Sequence, residues 1–490
     1  MQFLCSGIYL LLITATGALA WTWVNAKRVH LIGAAGFAFA AGSGLLGLLL
    51  FDLSLCGVAP SRPELSAIAL IVAIGLILRR RALPRLTFPR AMPKRWDGWT
   101  WLGAIALLVL IAAVVNVAIA DVTFGLSDID AFGIWMLKAK AAYLAPLRPI
   151  PAVMTHPSFS YSHQDYPLGF PMVIAGFYAM VGGVDEQLAK TALLPPIYAS
   201  LIAVMYTSLR WLLPARRAPA ICITAIFAAA PVLTTHAGMA VAELSLVLMH
   251  ACCLALLMRW MIEPDRRLLI ASAVFAALAA MEKNEGLALL PIVALVPFGF
   301  AVSRRVRRYS DDPDSAAGRA EESRSSRIPF DKLRAGCSEP GVLWDWIIAW
   351  LTAGALIAPW LIYRCYLPRT HEDYGSKLTS ITTLLHDLPR LGHVLPRYLR
   401  LFVAFSSAGA IWILLLIVAI CCHKTFRRAV VRAMWILLLL HAGLYMLTFV
   451  VTPWDVDVLL PMVGPKLLMH IAPTAVLLIG LHLSNSCEDG

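Results

Sequence analysis

Two neighbouring aspartates are the first side chains in this sequence that could do chemistry. Asp128 and Asp130 stand in the motif SDID, just after a long apolar segment, and lead into AFGIWMLKAKAAYL. A carboxylate here could act as a general base, or the pair could share a divalent cation. One aspartate could instead only cap the helix that follows, and the spacing alone favours this structural role slightly.

A second polar group lies in HPSFSYSHQDYPLGFP, residues 156–171. His163, Asp165 and Tyr166 come just before an apolar helix that Pro167 is expected to open, because proline favours a first helical turn. These side chains could bind a phosphate, a sugar or a cation. It is equally consistent with the spacing that Asp165 is an ordinary helix N-cap.

Further charged side chains lie near the ends of apolar segments: Glu243, Lys283 and Lys466. A carboxylate near the centre of a bilayer costs on the order of 3 kcal/mol, so it tends to mark a water-filled or functional site. Lys283 could pair with Glu282 or Glu285, or it could face a lipid phosphate. The default expectation for Lys466 is that its side chain extends to the lipid headgroups.

The composition indicates the elements that must position these residues. Of 490 residues, 60% are hydrophobic and 14% are charged, whereas soluble domains are about half apolar and about a quarter charged. These values exclude a disordered, fibrous or small disulfide-rich protein. In a membrane protein the net charge of +12 does not indicate nucleic-acid binding. The positions of the basic residues along the chain indicate orientation instead.

The hydropathy pattern predicts an all-α polytopic membrane protein with about 13 transmembrane helices, because a helix of roughly 20 apolar residues crosses the bilayer core and open sheets cannot. The predicted spans cover residues 3–21, 29–51, 65–79, 98–120, 188–213, 218–234, 244–261, 268–281, 286–302, 343–363, 402–422, 430–451 and 466–483.

The distribution of basic residues predicts the orientation of these spans. If the apolar segment 167–181 lies in the membrane interface, one side of the membrane holds 28 of the 41 Lys and Arg residues. That side is then the cytoplasm, with the N-terminus outside and the C-terminus inside. Two long outer loops follow, at 121–187 and 364–401. The first is expected to carry the candidate site.

Two juxtamembrane helices are expected in the first outer loop. One is the segment 167–181. In the other, Phe132, Trp135 and Met136 share a face at helical spacing while Lys138 and Lys140 point elsewhere, as in an amphipathic helix at a membrane surface.

The chain divides into four predicted parts. Residues 1–97 hold three N-terminal spans and a basic cytoplasmic loop, and residues 98–302 form the membrane module with most of the motifs. Residues 303–342 are polar and mixed in charge, which predicts a disordered cytoplasmic insertion. Residues 343–490 hold the last spans and the second outer loop.

The order of the motifs resembles the family C glycosyltransferase superfold, which includes protein O-mannosyltransferases and the aminoarabinose transferases of lipid A. The resemblance is clearest over about residues 98–300, and the first three spans lie outside the shared module. The matching segments are SDIDAFGIWMLKAKAAYL (127–144), QDYPLGFPMVIAGFYAMVG (164–182), the region of Glu243, MEKNEGLALLP (281–291) and TPWDVDVLLPMVGPKLLMHIAP (452–473).

The resemblance implies an inverting transfer of a hexosyl or pentosyl group from a polyprenyl-phosphate donor, on the outer face of the cytoplasmic membrane. Asp130 would be the general base, with Asp128 as the alternative, and Glu243 would take the place of the second acidic residue. Lys283 and Lys466 would bind the donor phosphate. Relatives often have Asp at the second acidic position and Arg where Lys466 stands.

The same resemblance implies further substrate contacts from His163, Asp165 and Tyr166. The acceptor could be a lipid, a glycan or a protein of the cell envelope, and no cofactor is certain. Asp128, Asp130, Glu243 and His163 could together hold a divalent cation.

Two other functions remain open from the sequence. A lipid or solute transporter or flippase would have matching halves and charges at the bilayer centre, whereas the charges here lie at the ends of the spans. A non-catalytic subunit of envelope polysaccharide assembly would have no cavity beside Asp130.

Overall fold

The computed structural model describes residues 1–24, 28–87, 97–126, 128–310, 340–369 and 374–484. Over these ranges the chain is almost entirely helical, apart from two three-residue strands, β1 (Arg28–His30) and β2 (Arg85–Thr87), which pair in parallel. The helices are α1 (Gln2–Trp21), α2 (Leu31–Leu55), α3 (Arg62–Leu78), α4 (Gly98–Thr123), α5 (Leu137–Leu144), α6 (Gly169–Val181), α7 (Glu186–Leu212), α8 (Arg217–Ala228), α9 (Pro231–Ala237), α10 (Glu243–Ile262), α11 (Arg266–Glu282), α12 (Asn284–Ser310), α13 (Pro340–Arg364), α14 (Tyr374–Thr379), α15 (Ile381–Asp387), α16 (Leu391–Val403), α17 (Gly409–Cys421), α18 (Ala429–Val451) and α19 (Val456–Leu483).

Eight helices in the described ranges are long and apolar enough to cross a membrane, and a ninth crossing results if α8 and α9, which meet at 65°, count as one broken span. The eight are α1, α2, α4, α7, α10, α13, α18 and α19. The chain is therefore a polytopic helical membrane protein. The higher count expected from the sequence includes segments that form shorter helices, such as α3 and α11 with 17 residues each and α17 with 13.

The bundle is arranged around α10. The membrane-spanning part of α10 is 89% buried by protein, and those of α2 and α19 are each 78% buried, whereas that of α4 is only 22% buried. Most apolar side chains on α4 are not covered by protein and are suited to contact lipid tails.

Small residues allow α1 and α2 to pack backbone against backbone. A Cβ on Gly17 would lie 1.7 Å from Ala38 O, and one on Gly42 would lie 1.7 Å from Ile13 O. Close contact of this kind is a common source of stability between helices in lipid, where no hydrophobic effect drives association. It holds α1 against α2, which is itself largely buried by protein.

Helix α6, which corresponds to the predicted interfacial segment 167–181, is enclosed by other parts of the protein. Every residue from Gly169 to Val181 except Met180 is buried, between α1, α2, α5 and α11. Tyr9 of α1 donates a hydrogen bond to Val173 O at 2.7 Å. Protein therefore covers both faces of this segment, and its position at the membrane interface stays a prediction.

The predicted disordered insertion, 303–342, falls mostly outside the described residues. At its start, residues 303–310 belong to α12, which continues to Ser310. At its end, α13 begins at Pro340. Ser127 of the SDID motif and residues 370–373 of the predicted second outer loop also lie outside the described residues.

Candidate functional site

A cavity of about 500 Å³ lies at the end of the bundle where α10 and α12 begin and where α11 and α13 end. Seven of the eight site residues proposed from the sequence line it, although they come from five separate segments. The seven are Asp130, His163, Asp165, Tyr166, Glu243, Lys283 and Lys466. The structure thus brings these side chains together, while their chemical roles stay predictions.

Asp128 and Asp130 have different surroundings. The Asp128 carboxylate accepts a hydrogen bond from the Asp130 backbone N–H at 2.8 Å, which stabilises the start of the π-helical turn Ala131–Met136. The Asp130 carboxylate caps no backbone N–H; it lines the cavity and is 41% exposed. The structural role considered for one of the two aspartates therefore falls to Asp128, and Asp130 faces the cavity.

Lys283 is held between two carboxylates. Its Nζ lies 2.9 Å from Glu243 Oε1 and 3.0 Å from Glu285 Oε1. Burial alone would lower the pKa of Lys283, but the two carboxylates, Glu243 first, raise it well above its usual value. The lysine is therefore protonated. Of the two partners considered from the sequence, it pairs with Glu285 and forms no ion pair with Glu282.

Lys466 points into the cavity. Its Nζ lies 3.5 Å from Asp130 Oδ2 and 4.0 Å from Glu243 Oε1. Lys466 is ten positions beyond Val456, where α19 begins, which corresponds to a depth of about 15 Å along the helix. A cation this far inside a bundle needs an anionic partner, and the two carboxylates provide one.

Asp165 pairs with the end of α13. Its Oδ2 accepts a hydrogen bond from Arg364 Nη2 at 2.9 Å. Helix α6 begins only at Gly169, two residues beyond Pro167, with Leu168 at its N-cap and no side-chain cap. The alternative that Asp165 caps this helix was therefore wrong.

Lys138 holds the backbone of residues 163–166 in place. It is completely buried, and its Nζ donates to His163 O at 2.6 Å and to Tyr166 O at 3.4 Å. Burial lowers the pKa of Lys138 to about 7, an effect that the Asp165 carboxylate opposes only in part. The expectation that Lys138 points away from the buried face was wrong, because backbone carbonyls of the adjoining segment turn toward it.

The cavity wall offers several unused hydrogen-bond acceptors. Four buried oxygens of cavity-lining side chains have no hydrogen-bond partner within the described residues: Asp165 Oδ1, Glu243 Oε2, Asn284 Oδ1 and Glu285 Oε2. A buried acceptor without a partner costs about 1–3 kcal/mol. This wall is therefore complementary to a ligand that carries several hydroxyl groups.

The four residues proposed for a divalent cation do not form a ligand set. In the part of the chain that the structure describes, no three His, Cys, Asp or Glu side chains are grouped so that they could hold a metal ion. At Glu243 the position of a cation is taken by the ammonium groups of Lys283 and Lys466.

Sequence reasoning missed several residues that complete the cavity, among them Trp135, Asn284, Arg364, Tyr374 and Tyr445. Arg364 could have been found, since it is a basic residue at the outer end of a predicted span, against the general bias of basic residues toward the cytoplasm. The aromatic residues carry no comparable signal, because aromatic side chains are common throughout the apolar spans.

Comparison with protein families, with curated proteins and with solved structures finds no match to this chain. The comparisons therefore identify no family. The resemblance to family C glycosyltransferases rests on the order of the motifs and remains a prediction.

Proposed function

We propose that this protein is a membrane glycosyltransferase, which moves a sugar from a polyprenyl-phosphate donor to a hydroxyl group of an acceptor. The observation that carries the proposal is the pairing of Asp130 and Lys466, which lie 3.5 Å apart at the wall of one cavity of about 500 Å³. Transfer from a lipid phosphate requires a base for the acceptor hydroxyl and a cation for the leaving phosphate, and this cavity holds both.

In the proposed reaction Asp130 removes the proton of the acceptor hydroxyl as its oxygen attacks the anomeric carbon. The bond from that carbon to the phosphate oxygen breaks, and the polyprenyl phosphate leaves with the electron pair. One displacement of this kind inverts the anomeric configuration. Lys466 stabilises the negative charge that develops on the leaving phosphate.

The proposal assigns the phosphate to Lys466 and Arg364 in preference to Lys283. Lys283 already has two carboxylates within 3.0 Å and its side chain is only 10% exposed. Lys466 has longer contacts and is 24% exposed, and Arg364 is 33% exposed. In this arrangement Lys283 keeps Glu243 ionised and in place.

The unpartnered oxygens support a sugar as the transferred group. A hexose or pentose carries several hydroxyl donors, which the oxygens of Asp165, Glu243 and Asn284 could accept. Trp135 and Tyr166, with ring centroids 5.9 Å apart, supply an aromatic surface beside them.

The proposal places the cavity on the extracytoplasmic face. Glu243 begins α10 and Arg259 lies in its last turn, so the two are about 24 Å apart along the axis. Basic residues at the Arg259 end mark the cytoplasmic side. With α3, α11, α12 and α17 as shorter crossings, the proposal keeps 13 spans.

A transfer assay tests this function. The purified protein in lipid nanodiscs is mixed with a panel of radiolabelled polyprenyl-phosphate sugars and with lipid, glycan and protein acceptors from a cell envelope. We expect one sugar to be transferred with inversion. If no donor is used while proteoliposomes take up or flip a substrate, the protein is a transporter. If neither occurs, the subunit alternative replaces the proposal.

A further inference from the structure

Two buried charged side chains lie beside the segment that leads to Asp130. Asp121 near the end of α4 is completely buried, and Lys190 in the second turn of α7 is almost completely buried. Lys190 Nζ lies 3.7 Å from Asp121 Oδ1. A buried ion pair adds little to stability compared with well-packed apolar side chains of the same volume. These two charges therefore call for an explanation other than stability.

Lys190 binds the backbone that follows α4. Its Nζ donates to Phe124 O at 2.8 Å and to Gly125 O at 3.5 Å. One turn earlier on α7, Gln187 Nε2 donates to Asp121 O at 2.7 Å and to Phe124 O at 3.4 Å. We call Gln187 and Lys190 the α7 anchor, because together they hold three backbone carbonyls at the end of α4 and just beyond it.

These hydrogen bonds matter because side-chain packing holds the segment between α4 and Asp130 only weakly. Phe124 and Ile129 are 67% and 71% exposed, and Leu126 is partly buried against the core. The backbone bonds to the α7 anchor are therefore an important restraint on this segment.

The start of α7 also contacts the chain after Asp130. Glu186 is the first residue of α7, and its Oε1 lies 2.6 Å from Nζ of Lys140 on α5. Helix α5 directly follows the turn Ala131–Met136, which Asp130 precedes. The first turns of α7 thus contact the chain on both sides of Asp130.

We propose that the α7 anchor positions Asp130 for proton removal, with Asp121 compensating the charge of the buried ammonium. Neither Gln187 nor Lys190 lines the cavity, so both act through the backbone from which Asp130 reaches it. The inference rests on the proposed function, in which Asp130 is the base. A displacement of about 1 Å in a reacting group can cost about 100-fold in rate. Loosening this segment therefore impairs transfer without removing any group that contacts the donor.

The double variant Asp121→Leu/Lys190→Met separates positioning from stability. Apolar side chains can replace a buried ion pair with little loss of stability, so this variant should fold while it lacks the bonds to Phe124 O and Gly125 O. In the transfer assay we expect kcat to fall about 10- to 100-fold, while KM for the donor stays within about twofold of wild type. Gln187→Met, which changes no charge, should lower kcat by a smaller factor.

Tyr198→Phe is the matched control on the same helix. It removes a buried hydrogen bond that Tyr198 donates to Ala228 O at 2.6 Å, about 12 Å along α7 from Lys190. Its melting temperature reports the effect of weakening α7 elsewhere, and its kcat should equal that of wild type.

Hydrogen exchange on the full chain in nanodiscs tests the anchor without transfer. The backbone N–H groups of Asp130, Ala131 and Phe132 donate to Asp128. They should exchange faster in the double variant and in Gln187→Met than in wild type or Tyr198→Phe.

The proposal is overturned if these amides exchange as in wild type, if kcat is unchanged in the double variant, or if Tyr198→Phe loses as much activity. A loss that falls on KM alone also overturns it. If the amides exchange faster but the wild-type protein transfers no sugar, the result supports the anchoring of Asp130 and contradicts the proposed function.

Discussion

The Lys466 ammonium lies 3.5 Å from Asp130 Oδ2, although 336 positions of sequence separate the two residues. Asp130 directly precedes the helical turn Ala131–Met136, and Lys466 comes from α19. The same lysine lies 4.0 Å from Glu243 Oε1. This ammonium therefore joins the N-terminal and C-terminal halves of the chain at the candidate site.

Replacing Lys466 should impair transfer more than folding. Lys466→Met removes the cation that stabilises the leaving phosphate, so we expect kcat/KM to fall by about 100-fold or more. Lys466→Arg keeps the charge and should retain a substantial part of the activity. The kinetics of transfer from the active polyprenyl-phosphate sugar measure both variants. Equal activity in Lys466→Met and wild type would remove Lys466 from the mechanism.

Breaking the buried pair of Glu243 and Lys283 should destabilise the protein. Glu243→Gln leaves the Lys283 ammonium with Glu285 as its closest remaining anion, and removal of one partner from a buried ion pair costs about 3–5 kcal/mol. Glu285→Gln should cost less, because the Glu285 side chain is 21% exposed and Glu243 is only 1% exposed. Thermal unfolding in detergent compares the two. The assignment fails if Glu285→Gln is the more destabilising change.

Lys138 should make stability depend on pH. Because burial lowers its pKa to about 7, the native lysine loses its proton at lower pH than the unfolded chain, whose lysine titrates near 10.4. Between these values the unfolded state binds more protons. Stability from this residue therefore rises with pH, by about 1.4 kcal/mol per unit.

The variant Lys138→Met tests this slope. At pH 6 the wild-type protein bears the cost of a buried charge on Lys138, and the variant does not. The melting temperature of the variant minus that of wild type should therefore be more positive at pH 6 than at pH 9. Lys140→Met is the control, because Lys140 pairs with Glu186 at 2.6 Å and is 38% exposed. If Lys138→Met and wild type change in parallel with pH, Lys138 does not titrate in this range.

The sequence identified site residues where a charged side chain occurs near an apolar span, because such a placement costs free energy. Glu243 and Lys283 stood out because charged side chains near apolar spans need a reason, and both line the cavity. Hydropathy located most of the long helices. The alternation of spans across a membrane predicted that Glu243 and Lys283 lie at the same end of the bundle.

The features that escaped prediction depend on contacts between distant segments. Lys138 occurs in a pattern typical of a surface helix, yet the carbonyls that bury it lie 25 and 28 positions away. Helix α6 is buried by distant helices, among them α1, whose Tyr9 donates to Val173 O, and no local sequence pattern predicts such contacts. Helix α17 is also shorter, at 13 residues, than the span predicted at 402–422, because residues Leu391–Val403 form the separate helix α16.

The most direct test of the account compares Asp130→Asn with Asp128→Asn in a single-turnover transfer assay. The two substitutions remove the same charge two residues apart, but only Asp130 lines the cavity. Asparagine at position 128 keeps an oxygen that can accept the Asp130 N–H. The account predicts that Asp130→Asn abolishes transfer while membrane insertion stays intact, and that Asp128→Asn retains activity within about tenfold of wild type, since it leaves the base in place. Full activity in Asp130→Asn, or loss of activity in Asp128→Asn alone, would contradict it.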